Sequence, residues 1–181
     1  NIVGRYSGSS TTTISGTVDV GTLSNGVIYK ASAGTTINGG TINPGNTIVI
    51  TSNYKVTING DINYQNAGYT EARQIPQLII IAKDIDIDQS VTNIDAWLVA
   101  KDGTINTCSN YALDDITIDK CNNKLTVNGP VIAGTLLLHR TAGSEDPDYG
   151  APAEVFNLRA DTFLWAAAKS TSATSVKTSY I

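Results

Sequence analysis

The chain has 181 residues, 15% of them charged, with a net charge of −4 and an isoelectric point near 4.8. Its 12 Lys and Arg residues are scattered singly, so no basic stripe exists to neutralise phosphates and a nucleic-acid partner is excluded. No apolar run approaches the roughly 20 residues that cross a bilayer; the longest, 78–82, reads as a buried strand.

The length suffices for one domain with a real core. Thr, Ser, Asn and Gly, the residues of strands and turns, stand where a typical chain carries charge. There is no Met, so the first residue is read as an internal position and the chain as a processed or excised part of a longer protein.

Alternation and β-branching predict strands over 11–14, 17–20, 46–51, 55–58 and 77–82, the last running straight into 84–88. Further strands are predicted over 96–100, 116–119, 124–127 and 135–138, with an extended stretch over 153–159. Asp161 is placed to cap a short helix over 162–169, with Phe163, Leu164 and Trp165 facing the body. The segments 64–76 and 106–123 read as insertions, the turn-rich, acidic stretch 140–152 ends the regular part, and 170–181 is a Ser/Thr-rich exit segment.

A short phrase recurs between these strands. It reads Ile37-Asn38-Gly39-Gly40-Thr41, Ile58-Asn59-Gly60-Asp61-Ile62 and Val127-Asn128-Gly129-Pro130-Val131, with looser copies at 14–18 and 87–91. Asn-Gly between β-formers is a hairpin signal, because both residues accept positive φ. The same pair also suits a corner between parallel strands. The first two intervals suggest a unit of about 22 residues, a solenoid length, and a Thr precedes the apolar residue at Thr36, Thr57 and Thr126. The expectation is therefore an all-β, single-stranded parallel β-helix (solenoid) with irregular rungs of about 22 residues over 1–160 and a C-terminal cap and exit segment over 161–181. An antiparallel sandwich or barrel is the alternative.

Cys108 and Cys121 show no CxxC and no paired His, which excludes the familiar zinc spacings. A structural disulfide is the preferred reading, with two unpaired thiols as the other; a disulfide implies an oxidising, extracytoplasmic setting. Asp84, Asp86 and Asp88 project from one strand face, and Asp115, Thr117 and Asp119 repeat the pattern. Stacked together they would gather calcium or flank a sugar as glycosidase carboxylates do. The plainer reading, a polar strand face that resists edge pairing, is preferred, so no metal and no cofactor is assigned.

His139 lies in no GxSxG context and reads as a strand-end residue, so no catalytic residue is assigned. Trp97 and Trp165 read as core and cap anchors, and Tyr64, Tyr69 and Tyr111 as exposed contact residues. Asn38-Gly39-Gly40 has no following Lys or helix and cradles no phosphate. Thr36, Thr41, Thr47, Thr51 and Thr57 invite comparison with ice-binding arrays, but the required Thr-x-Thr repeat is missing.

The stretches Val56-Thr57-Ile58-Asn59-Gly60-Asp61-Ile62 and Leu125-Thr126-Val127-Asn128-Gly129-Pro130-Val131 resemble rungs of bacterial right-handed β-helix surface proteins and, more distantly, of bactofilins. Pro152-Ala153-Glu154-Val155-Phe156-Asn157-Leu158-Arg159 is similar to a segment of uncharacterised bacterial envelope proteins. Low charge, the missing catalytic constellations, the repeated turn and the possible disulfide, beside this resemblance, lead to the expectation of a non-enzymatic structural or adhesive module of a cell-surface protein that contacts a surface glycan or protein through its insertions. A carbohydrate-active enzyme or glycan-binding domain is the rival, and a self-assembling filament subunit, a homo-oligomer, is the third reading.

Overall fold

The computed structural model describes residues 10–66, 68–141 and 152–169. The exit segment 170–181 and most of the turn-rich stretch 140–152 lie outside these residues.

Among the described residues the chain is mostly β, in two parallel sheets, with one α-helix. The larger sheet holds eight strands: β1 (Thr11–Val18), β2 (Ile28–Ile37), β4 (Thr47–Ser52), β5 (Val56–Ile58), β7 (Gln77–Ile81), β8 (Ile85–Ile87), β10 (Trp97–Asn106) and β12 (Val131–Leu137). The smaller holds five: β3 (Gly40–Ile42), β6 (Ile62–Tyr64), β9 (Asn93–Ile94), β11 (Leu125–Asn128) and β13 (Glu154–Asn157). Helix α1 (Asp161–Lys169) follows.

The layout is sheet-based, which corrects the expected single-stranded β-helix with rungs of about 22 residues. Ile28 pairs with Val49, Val49 with Ile79, Ile79 with Trp97 and Leu98 with Val131, offsets of 21, 30, 18 and 33 residues. No fixed interval governs pairing. Register is set by which side chains must be buried, because a one-residue slip would turn a strand's apolar set to the wrong face. The antiparallel alternative is set aside too, since every pairing between these strands is parallel.

Inward rows build the core between the sheets. Ile37, Ile58 and Ile87 stack across β2, β5 and β8, and Ile50, Ile80 and Leu98 across β4, β7 and β10. Ile62, Ile94 and Val127 face them from the small sheet. All nine are buried, and each such side chain contributes about 1.5–3 kcal/mol.

The Asn-Gly phrase turns the chain from one sheet to the other: β2 into β3, β5 into β6, β11 into β12. Glycine is required at these corners by close approach and by φ. Gly39 has φ +89°, and a Cβ there would lie 2.4 Å from the Asp61 carbonyl oxygen; one on Gly60 would lie 2.1 Å from that of Asn38.

Of the three helix side chains expected to face the body, only Trp165 does. Trp165 clusters with Ile28, Val49 and Ile79 on the outer face of the large sheet and with Ile75 just before β7, while Phe163 and Leu164 are exposed. One turn of helix cannot aim three consecutive side chains at one body, and Trp165 takes that place. Trp97 is half-buried on the same outer face, its indole donating to Gln77 Oε1 at 2.7 Å.

Candidate functional site

The first insertion does not simply leave the body. Tyr64 ends β6, packs against the main core, and its hydroxyl accepts the Leu78 N–H at 2.8 Å. Burial pushes its phenol well above the usual range, against the opposing effects of that hydrogen bond and of Arg159. Tyr69 is half-buried beside Ala72, in the short 3-10 turn Ala72–Gln74, and its hydroxyl donates to the Gln65 carbonyl. Burial raises its phenol as well.

These two tyrosines and Asn66 form one wall of a groove of about 540 Å³. Asp95, which follows β9, Asn128, the last residue of β11, Arg159 and the first helical residue Asp161 complete its lining. The Arg159 guanidinium lies 5.0 Å from the Tyr64 ring centroid and is forked onto Asp161, Nε reaching the two carboxylate oxygens at 3.0 and 3.1 Å. Burial opposes its charge, but the Asp161 hydrogen bond and charge, with Asp95 and Tyr64, hold it above the ordinary arginine value. Asp95 is buried, and its two oxygens accept from Tyr64 N–H at 2.7 Å and Asn128 Nδ2 at 2.9 Å.

Asn128 also belongs to an amide ladder on the small sheet's outer face. Asn157 Nδ2 donates to Asn128 Oδ1 at 2.9 Å, Asn128 Nδ2 to Asn93 Oδ1 at 3.0 Å, and Asn93 Nδ2 to Asn63 Oδ1 at 2.9 Å. All three bonds run in one direction, so each polarises the next. The ladder ends on exposed amides at Asn63 and Asn157.

The other sequence candidates fall outside the groove. Cys108 and Cys121 form a disulfide, with Cα atoms 5.9 Å apart and both residues buried. Tyr111 lies in that loop beneath Lys120, 4.8 Å from its ring centroid. The predicted strand over 116–119 is not formed; the 3-10 turn Leu113–Asp115 precedes it, and Asp115 is tied through its carbonyl to Lys120 Nζ at 2.8 Å.

The two acidic rows therefore do not stack. Asp86 lies beside Thr57 and Asn106 and is paired with Lys55 at 2.7 Å. Asp84 accepts the Thr104 N–H at 2.9 Å, and Asp88 accepts from Ser90 and Asn110. Among the described residues, no group of three His, Cys, Asp or Glu side chains is placed to hold a metal ion. No helix among them is long and apolar enough to cross a membrane. His139 donates its backbone N–H to Thr107 Oγ1 at 2.8 Å.

Arg140 is a residue that sequence reasoning missed. It is buried, and its guanidinium donates to the carbonyls of Asp88, Gln89 and Thr107 at 2.6–2.7 Å and of Asn123 at 3.2 Å. Asp88 and Gln89 open the passage from β8 to β9, and Thr107 and Asn123 bound the passage from β10 to β11. One side chain thus ties two crossings between the sheets. Burial lowers its pKa, with Glu154, Asp88 and Asp61 acting in opposition.

Neither protein-family models, curated proteins nor solved structures match this chain. The resemblance to bactofilin rungs and envelope proteins gains no support from these comparisons.

Proposed function

We propose that the chain is a non-enzymatic binding module, a structural or adhesive part of a bacterial extracytoplasmic surface protein, whose sheets hold one polar groove in fixed geometry. The commitment of the groove's ionisable groups carries this reading. Asp95 accepts from Tyr64 and Asn128, and Asp161 is held by Arg159. General acid–base chemistry needs a carboxyl free to exchange a proton with substrate; here both carboxylates orient the groove's walls.

The buried Cys108–Cys121 disulfide supports an oxidising compartment. The groove's lining comes from the first insertion, from the start of α1 and Arg159 just before it, and from positions at the ends of β9 and β11, strands paired in parallel on both sides. Rigid sheets carrying contact residues on loops are a common arrangement for recognition.

The test is a glycan and protein binding screen on the chain, run beside a reducing-end assay on every saccharide that binds. Saturable binding without bond cleavage is expected. Release of new reducing ends would overturn the non-enzymatic reading.

A further inference from the structure

We infer that the groove between Tyr69 and Asn128 is a site for a neutral, hydroxyl-rich saccharide, an assignment that rests on the binding-module reading above. Charge narrows the ligand first. Two carboxylates and one guanidinium line the groove, so its net charge is negative and an anionic ligand is repelled. A cationic ligand would enter beside the Arg159 guanidinium, which already sits over Tyr64 and opposes a second cation there. A neutral polyol meets neither obstacle.

Hydroxyl groups donate and accept at once, and the groove offers both partners. Among the described residues each Asp95 oxygen receives one donor, which leaves a lone pair on each. Arg159 uses Nε and Nη2 on Asp161, and its Nη1 donates to no group among the described residues. Asn66 is exposed at the rim. Tyr69 supplies a ring against which the C–H face of a pyranose can lie.

The volume falls within the roughly 300–1,000 Å³ of small-ligand sites. Asn128 also links the groove to the amide ladder, which runs on across the sheet at strand intervals of about 4.8 Å. That track suits an oligosaccharide better than a single sugar, because successive hydroxyls meet successive amides.

A glycan array probed with the full chain selects the saccharide, and calorimetric titration then measures cellotriose, maltotriose, N,N′-diacetylchitobiose and the array's best neutral binder, with trigalacturonate as the anionic control. The expected result is saturable binding of a neutral saccharide. Tyr69→Ala should weaken it at least tenfold and Asn66→Ala at least threefold. Tyr69→Phe, which keeps the ring, should stay within threefold, and Tyr54→Ala, at an exposed residue outside the groove, should change nothing.

The inference is overturned if no neutral saccharide binds, if trigalacturonate binds more tightly than all of them, or if both groove variants bind as the parent does. Asn66→Ala alters an exposed side chain, so it keeps the test open should Tyr69→Ala fail to fold. Saccharide binding that maps outside the groove defeats this assignment and leaves the module reading intact. Cleavage of a saccharide that the groove variants fail to bind supports the site and defeats the non-enzymatic reading.

Discussion

The outer faces of the two sheets are built by the same backbone device and end in opposite states. On the large sheet, Ile28, Val49, Ile79 and Trp97 stand in one row across β2, β4, β7 and β10, and Trp165 covers it. On the small sheet, the matching outer positions of β6, β11 and β13 hold Asn63, Asn128 and Asn157, which bond along the sheet and meet the groove. In these two rows parallel pairing stacks like on like. The row's polarity alone decides whether a face is closed by packing or left for contact.

The sharpest way to break both faces at once is to cut the crossings between them. Arg140→Ala removes a buried side chain and the donor shared by four carbonyls, of which Asp88 keeps the Val91 N–H and Gln89 the Asn123 amide. It should cost about 4 kcal/mol in urea unfolding, since a lost hydrogen bond to a charged group costs roughly 1.5–3 kcal/mol and an unpaired acceptor roughly 1–3 kcal/mol. A loss below 1 kcal/mol would mean the crossings hold without it. Next in size, Ile79→Ala opens a void beneath Trp165 and should cost about 3 kcal/mol by the same measurement.

Asn128→Ala, its counterpart on the polar face, removes a donor to Asn93 and Asp95 and an acceptor for Asn157. It should cost about 1.5 kcal/mol, because partly hydrated amides exchange protein bonds for water. If it cost more than Ile79→Ala, the two faces would not differ as described.

The smallest effect is on pH dependence. Burial alone would raise the Asp61 carboxyl, but the Thr92 and Asn93 N–H groups, the Thr92 hydroxyl and the Arg140 charge outweigh it and hold it below 3.8. Asp88, in the neighbouring passage from β8 to β9, is lowered against burial in the same way by Ser90, Asn110 and Arg140. A lowered folded value means that stability is present in full above the unfolded value and is lost as pH falls through the folded one. Asp61→Asn should therefore flatten the acid limb of a melting-temperature profile below about pH 4 and leave the neutral region less stable by a constant amount. An unchanged acid limb would remove Asp61 from the account.

Strands with a strong apolar run were legible in the sequence. The expectations over 46–51, 55–58, 77–82 and 124–127 match β4, β5, β7 and β11 within one residue at each end, and the helix starts at Asp161. In the small sheet β11 and the extended stretch that holds β13 were legible, but β3, β6 and β9 were not, because they are two or three residues long, too short for alternation to register. Residues 116–119 carry a strand's alternation but lie inside the disulfide loop, and propensity without a partner strand makes no ladder.

The site was half legible. Tyr64 and Tyr69 stood out as aromatic residues in a polar insertion, while Asp95, Asn128, Arg159 and Asp161 are brought to them only by tertiary pairing across about 30 residues or more. Of the asparagines in the repeated phrase, only Asn128 joins the ladder; Asn38 and Asn59 serve the corners through their backbones. A signal existed in Asn63, Asn93, Asn128 and Asn157, each at or beside a strand end, but nothing in their spacing announces that they share a face.

The most direct test of the contrast between the two faces is a backbone amide chemical-shift map of the chain during titration with the neutral saccharide selected on the array. Shifts should cluster at Asn66, Tyr69, Asn128 and Arg159 and spread along the ladder to Asn93 and Asn157, with the row Ile28, Val49 and Ile79 silent. Shifts centred on that row, or on the exposed edge strand β12 around Ile132, would contradict it.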